Sequence, residues 1–211
     1  MTVRQALGVL ERGGFVSRRR GSGTTVSPPK VVRSLTPVSN LEEDLARQGL
    51  RLDTELLQFE PRYDVPPEVR ALLAPNEAAD VGFLALLRRV DDRVIAYDRS
   101  YLPRTVAERL SPEDLLHRPA FDIARELVGS PDTSVDWEIE IGPAPRDVRD
   151  ALGITAGLPV VIASSTLRRD YGSLIIRTER YYRIDRVKFR QSSRYPAPPA
   201  GPAPGGLAVS H

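Results

Sequence analysis

The strongest constraint on the fold is an internal echo. Glu68-Val69-Arg70, Leu87-Arg88-Arg89 and Arg99-Ser100-Tyr101 return as Asp147-Val148-Arg149, Leu167-Arg168-Arg169 and Glu179-Arg180-Tyr181. Each copy reads as strand, short helix, strand, tight turn, strand, with Asp91-Asp92-Arg93 as one turn and Asp170-Tyr171-Gly172 as the other. Hairpins force antiparallel neighbours, so two copies predict a sheet of about six antiparallel strands, helices on one side and a pseudo-two-fold axis between the halves. Thr133 to Ile141 fits that sheet as a half-buried strand, since Val135, Trp137, Ile139 and Ile141 alternate with Ser134, Asp136, Glu138 and Glu140.

Elsewhere the pattern predicts helices over Leu41–Gln48, ended by Gly49, and from Pro66-Pro67 through Leu73. A strand follows the first of these over Arg51–Pro61. Ser111-Pro112-Glu113-Asp114 is a helix start, with hydroxyl cap, first-position proline and early acids, and Pro119–Val128 forms the next helix. The chain's 41% hydrophobic and 27% charged residues suit a folded soluble protein. The absence of cysteine excludes disulfides, thiol nucleophiles and thiolate metal sites. No apolar run long enough for a membrane span or a signal peptide is present, so a cytosolic protein without membrane contact is expected.

The first residues carry a different signal. Val3, Ala6, Leu7 and Leu10 share a helical face, Gly13-Gly14 ends it, and Phe15-Val16 and Thr24-Thr25-Val26 read as strands around the basic turn Arg18-Arg19-Arg20-Gly21-Ser22-Gly23. Net charge is only +2, yet Arg4, Arg12, Arg18, Arg19, Arg20, Lys30 and Arg33 face a single acid, Glu11, in this region. A helix followed by a basic hairpin suits a DNA duplex, with Thr2, Arg4 and Gln5 at the groove and Arg18, Arg19, Arg20, Gly21, Gly23 and Thr24 at the phosphates or minor groove. An ordinary solvated helix with a basic loop is the competing reading.

Thr2-Val3-Arg4-Gln5-Ala6-Leu7, Gly14-Phe15-Val16 and Arg20-Gly21-Ser22-Gly23-Thr24-Thr25-Val26 resemble the recognition helix and wing of GntR-type winged helix-turn-helix repressors. The two helices that precede this helix in that family are not in the sequence, which implies an N-terminally shortened head, frayed and weak on DNA. Ile95 to Pro103, and Glu179 to Arg186 with Phe189, resemble the UTRA effector domain of the HutC subfamily.

The resemblance implies an α+β protein: a partial winged helix-turn-helix over 1–27, a linker over 28–31, a chorismate-lyase-like antiparallel sheet with flanking helices over 32–190, and a disordered tail over 191–211. It also implies a homodimeric regulator that binds operator DNA and a small-molecule effector, with no metal and no cofactor. Arg88 and Asp98 match family ligand contacts, and Tyr101, Glu179 and Tyr181 are further candidates. Arg99 and Glu179 sit at equivalent points of the two repeats, where a cross-strand ion pair is the plainer reading. Leu86 stands where a second arginine is common, Ile176 where an acid is common, and Glu42 where a small hydroxyl residue is frequent. An effector less anionic or more apolar than an amino-sugar phosphate is expected. The rival classes are a chorismate-lyase-like enzyme, for which no catalytic motif is present, and a binding or dimerisation module without DNA contact of its own.

Overall fold

The computed structural model describes residues 2–12, 16–19, 23–26, 28–35, 40–65, 81–169 and 172–192. The helix expected from Pro66 to Leu73, most of the Asp170-Tyr171-Gly172 turn and nearly all of the tail lie outside the described residues.

Six strands form the central sheet: β4 (Asp53–Tyr63), β5 (Val81–Val90), β6 (Arg93–Pro103), β7 (Thr133–Pro143), β8 (Pro159–Arg169) and β9 (Leu174–Arg183). Their spatial order is β4-β5-β6-β9-β8-β7, and every neighbouring pair is antiparallel. The two repeats therefore meet at β6 and β9. Arg99 and Glu179 are partners in that register, so the pseudo-two-fold axis passes between the two residues that the repeat makes equivalent. The turn between β5 and β6 places Asp91 and Asp92 at positive φ, 49° and 59°, which short acidic side chains tolerate.

Helices cover both faces of the sheet, where the sequence suggested one. On one face lie α2 (Leu41–Ala46), α3 (Arg104–Ala107), α4 (Asp114–His117) and α5 (Ala120–Val128). The last three bury Val106, Leu115, Ile123 and Ala124 against Leu84, Leu86, Leu102 and Ile176. The second cluster on this face joins Leu41 and Leu45 of α2 to Ala96, Val161 and Tyr182. On the opposite face α6 (Arg146–Leu152) packs Val148 and Leu152 on Phe83, Tyr97, Tyr101 and Tyr181. Strand alternation sends successive side chains to these two covers, and both are apolar, so β5 is buried almost along its whole length. The Ser111 start is displaced: α4 begins at Asp114, whose N–H lies 3.5 Å from the Ser111 hydroxyl.

One pairing had no periodic signal. β3 (Val31–Ser34) runs parallel to β10 (Val187–Arg190), a separate two-stranded sheet that joins the start of the body to its end. The segment is pinned further by Lys30 Nζ donating to the Ile184 carbonyl at 2.7 Å. Gln48 clamps Val32 from both sides, accepting from its N–H at 2.8 Å and donating to its carbonyl at 2.7 Å.

Ahead of the body, α1 (Val3–Arg12) touches β1 (Val16–Arg19), which pairs with β2 (Gly23–Val26) as an antiparallel hairpin. Thr2 and Gln5 start α1 reciprocally: the Thr2 N–H donates to Gln5 Oε1 at 2.9 Å and the Gln5 N–H to the Thr2 hydroxyl at 3.4 Å. β2 is exposed throughout, as are Val3 and Leu10.

Gly82 sits where β5 runs beneath α3, and a Cβ there would lie 2.3 Å from the Ala107 Cβ. Gly82→Ala is expected to cost about 1–3 kcal/mol through overpacking, read by urea unfolding followed by circular dichroism; an unchanged midpoint would show that α3 moves without cost.

Candidate effector cavity

A cavity of about 500 Å³ opens between α2, α5 and the sheet face beneath them. Strand parity decides what lines it. Leu86 and Arg88 of β5, Asp98 and Ser100 of β6, and Thr178, Arg180 and Tyr182 of β9 all point to this face, two residues apart on each strand. Val135 and Trp137 of β7 and Phe121 of α5 supply an apolar and aromatic side.

The floor is ionic. Asp98 is 2% exposed and both its oxygens are taken. Arg88 Nε donates to Oδ2 at 3.0 Å, while Arg180 donates from Nε to Oδ1 at 2.6 Å and from Nη2 to Oδ2 at 2.7 Å. Burial pushes the Asp98 carboxyl up, but the charges of Arg180 and Arg88 outweigh it and hold the group below its ordinary range. Arg88 Nη1 also donates to Thr54 Oγ1 at 2.7 Å, across the β4–β5 register, and lies 3.4 Å from Glu42 Oε1 of α2. A third guanidinium, Arg33 of β3, donates to the Tyr182 hydroxyl at 3.0 Å and to the Asn40 carbonyl at 3.1 Å, and pairs with Asp44. At the α5 side, burial raises the Asp122 carboxyl; the Arg125 charge opposes the shift and the nearby Glu42 charge adds to it.

Arg88 and Asp98, both candidates from the sequence, are thus brought together in the cavity. Tyr101, Glu179 and Tyr181 are not. They occupy the odd-numbered positions of β6 and β9 and face α6, where Tyr181 donates to Glu179 Oε2 at 2.8 Å. Arg99, on that same face, lies over the Tyr181 ring at 5.5 Å and pairs with Asp147, while Glu179 pairs with Arg177 at 3.6 Å. The register partners Arg99 and Glu179 therefore take their described ion pairs elsewhere. Sequence reasoning missed Arg180, Arg33 and Trp137 as cavity residues, and Thr54 as the hydroxyl that holds Arg88. The signal available for Arg180 was its antiparallel partnership with Asp98, which follows once the two repeats are paired through Arg99 and Glu179.

In the head, Arg4 is exposed on α1 and Thr24 on β2, and Thr2 and Gln5 are exposed with their side chains engaged in the helix cap. Gly23 takes a φ of 78° at the start of β2. The backbones of Arg18 and Arg19 lie in β1, whereas Arg20 and Gly21 fall outside the described residues.

The UTRA domain family matches residues 47–188, about two thirds of the chain. The chain belongs to the UTRA-domain family. The HTH-type transcriptional repressor NagR of Bacillus subtilis is 28% identical over 189 residues, covering 90% of this chain and 77% of that protein. The HTH-type transcriptional regulator Rv0792c of Mycobacterium tuberculosis is 29% identical over 205 residues, covering 90% of this chain and 70% of its own length. Crystalline PhnF from Mycobacterium smegmatis superposes with a TM-score of 0.63 at 22% identity, over 91% of this chain and 84% of PhnF. With a helix and hairpin ahead of its UTRA domain, the protein is a ligand-responsive transcriptional regulator of the UTRA type, and its α+β fold is that of the UTRA domain.

Asp98→Asn leaves Arg88 and Arg180 buried without their shared carboxylate and is expected to cost about 3–5 kcal/mol in chemical unfolding. The wild-type pairing is complete above the unfolded Asp pKa, near 3.8, and is lost as pH falls through the lower folded value. Stability should therefore drop with acid from about pH 4 downward, and the Asn variant should lack that part of the drop. Parallel pH profiles for the two proteins would refute the assignment.

Proposed function

We propose that the UTRA cavity binds a small metabolite and that its occupancy sets how a pair of α1–β1–β2 heads meets operator DNA, in a homodimer acting as a repressor. The observation that carries this reading is continuity: the segment that leaves the head is itself a wall of the cavity. Arg33 and Ser34 of β3, then Asn40, Leu41, Glu42 and Glu43 at the start of α2, all line it. A ligand that prefers one arrangement of this wall shifts its population, and with it the reach of residues 28–30 into the head. Two heads on a dimer must match two half-sites, so a small change of reach changes operator fit. In the head, Arg4 on the exposed face of α1 is the proposed groove contact, with Arg18, Arg19, Arg20 and the backbone of Gly21 and Gly23 at phosphates, and Thr24 beside them.

The effector set is narrowed to Arg88 and Asp98 from the sequence candidates, joined by Arg180 and Trp137 from the cavity. A small-molecule regulator of this kind needs no metal or redox group for the proposed step, which is binding and a population shift.

A thermal-shift screen of metabolites tests the cavity. A true effector at a hundredfold excess over Kd adds about 2.7 kcal/mol, a rise of several degrees, and Arg88→Ala should erase it. A shift that survives in Arg88→Ala would place the ligand elsewhere. The DNA arm is tested by operator binding against salt: Arg4→Ala should weaken binding and flatten the log–log salt slope by about one. An unchanged slope would remove Arg4 from the interface.

A further inference from the structure

The ionic floor of the cavity does not balance without Glu42. Asp98 carries one negative charge between two guanidiniums, and all three groups are fixed by short, mutually directed hydrogen bonds. Arg88 and Asp98 have side chains only 3% exposed, so the surplus positive charge is held at the base of the cavity, away from bulk solvent. Beside Asp98, the acid that pairs with Arg88 among the described ion pairs is Glu42, and its bond is the longest of the group. It meets Arg88 Nη1 at 3.4 Å, it is 29% exposed, and it comes from a different element, the first turn of α2. Its carboxylate lies on the cavity wall rather than beneath it.

We infer that Glu42 is a tethered anion that fills the oxyanion position of the cavity, and that it sets effector specificity by excluding phosphate-bearing molecules. The inference rests on the effector-cavity reading above and assigns its selectivity to one side chain. A carboxylate held on the same chain competes at a high effective concentration with any free anion for Arg88. A dianionic ligand must displace it or sit beside it, and like-charge approach in a partly desolvated site is costly. Asp122, also on the cavity wall, adds to the same repulsion from the α5 side. What remains attractive is an uncharged or amine-bearing polar group near Glu42 and Asp122, with an apolar body against Phe121, Val135 and Trp137.

Removing the carboxylate should then convert the floor into an oxyanion site. The helix start survives the change, because the cap bond runs from the Glu42 backbone N–H to Asn40 Oδ1 at 2.9 Å and does not involve the Glu42 side chain. Trp137, the only tryptophan of the chain and a cavity residue, provides the signal. The experiment titrates inorganic phosphate into the 211-residue wild-type chain, Glu42→Ala and Glu42→Gln, following tryptophan fluorescence at constant ionic strength, with melting temperature as a second readout.

Both variants are expected to bind phosphate at least about tenfold more tightly than wild type, and Glu42→Ala combined with Arg88→Gln is expected to lose the gain. Equal phosphate affinity in wild type and both folded variants, or a gain that persists without Arg88, would overturn the inference. Because this titration uses neither operator nor metabolite, failure to find a metabolite that changes operator binding would defeat the proposed function and leave the result at Glu42 standing.

Discussion

The Asp98 carboxylate, shared between Arg88 and Arg180, is the interaction on which the rest of the site depends. Arg88 comes from β5, Asp98 from β6 and Arg180 from β9, so the cluster ties the two repeats together across their junction. Burying three charges is expensive, and a well-packed apolar replacement of similar volume is commonly as stable or more so. Stability alone therefore does not explain an ionic strip between the two apolar clusters on this face. The proposed effector role of the cavity above it does: a sheet floor with directional donors would fix the orientation of a polar ligand, while α5 and β7 offer surfaces for an apolar part.

Duplication made the architecture legible. The echo of Leu87-Arg88-Arg89 in Leu167-Arg168-Arg169 was enough to anticipate two antiparallel units, and the observed strand order is the one in which their last strands pair. Side-chain direction was not legible to the same degree, because on a strand a displacement of one residue reverses the face. Glu179 and Tyr181 flank Arg180, and Tyr101 lies an odd number of residues from Asp98. Each belongs to the α6 face although its neighbour in sequence belongs to the cavity. Trp137 and Ile139 take the inward side that the alternation of β7 predicts, whereas Ile141 and Val135 of the same set are exposed, and the sequence offered no indication that the Trp137 side was a cavity wall instead of core. The β3–β10 pair escaped for another reason: strands of four residues carry too little alternation to announce themselves, and their parallel partnership joins residues more than 150 positions apart.

The same short stretch bears two loads. Arg33 is anchored to Tyr182 and Asp44, Val32 is clamped by Gln48, and Lys30 reaches the carbonyl of Ile184. These bonds hold the exit from the head to the end of the sheet and to α2. Asn40, which accepts from Arg33, also caps α2 through the Glu42 N–H, so the anchor and the charge at the cavity are joined through two residues of backbone. Packed elements with few alternative arrangements transmit small displacements instead of absorbing them.

That linkage gives the weak Glu42 contact its significance. A ligand that touched only Arg88, Asp98 or Arg180 would meet groups whose positions are fixed by three strands, and its binding energy would change little beyond the site. Glu42 instead belongs to a six-residue helix that is held at its N-terminal end by the same residues that hold the head's exit segment. On the proposed reading, energy gained or lost at its carboxylate acts on the part of the body with the shortest covalent route to the α1–β1–β2 head. A coupling free energy exists only where a ligand interacts differently with two arrangements of an element, and α2 with β3 is the part of this cavity wall that also continues toward the head, which is why the proposed coupling is assigned to it.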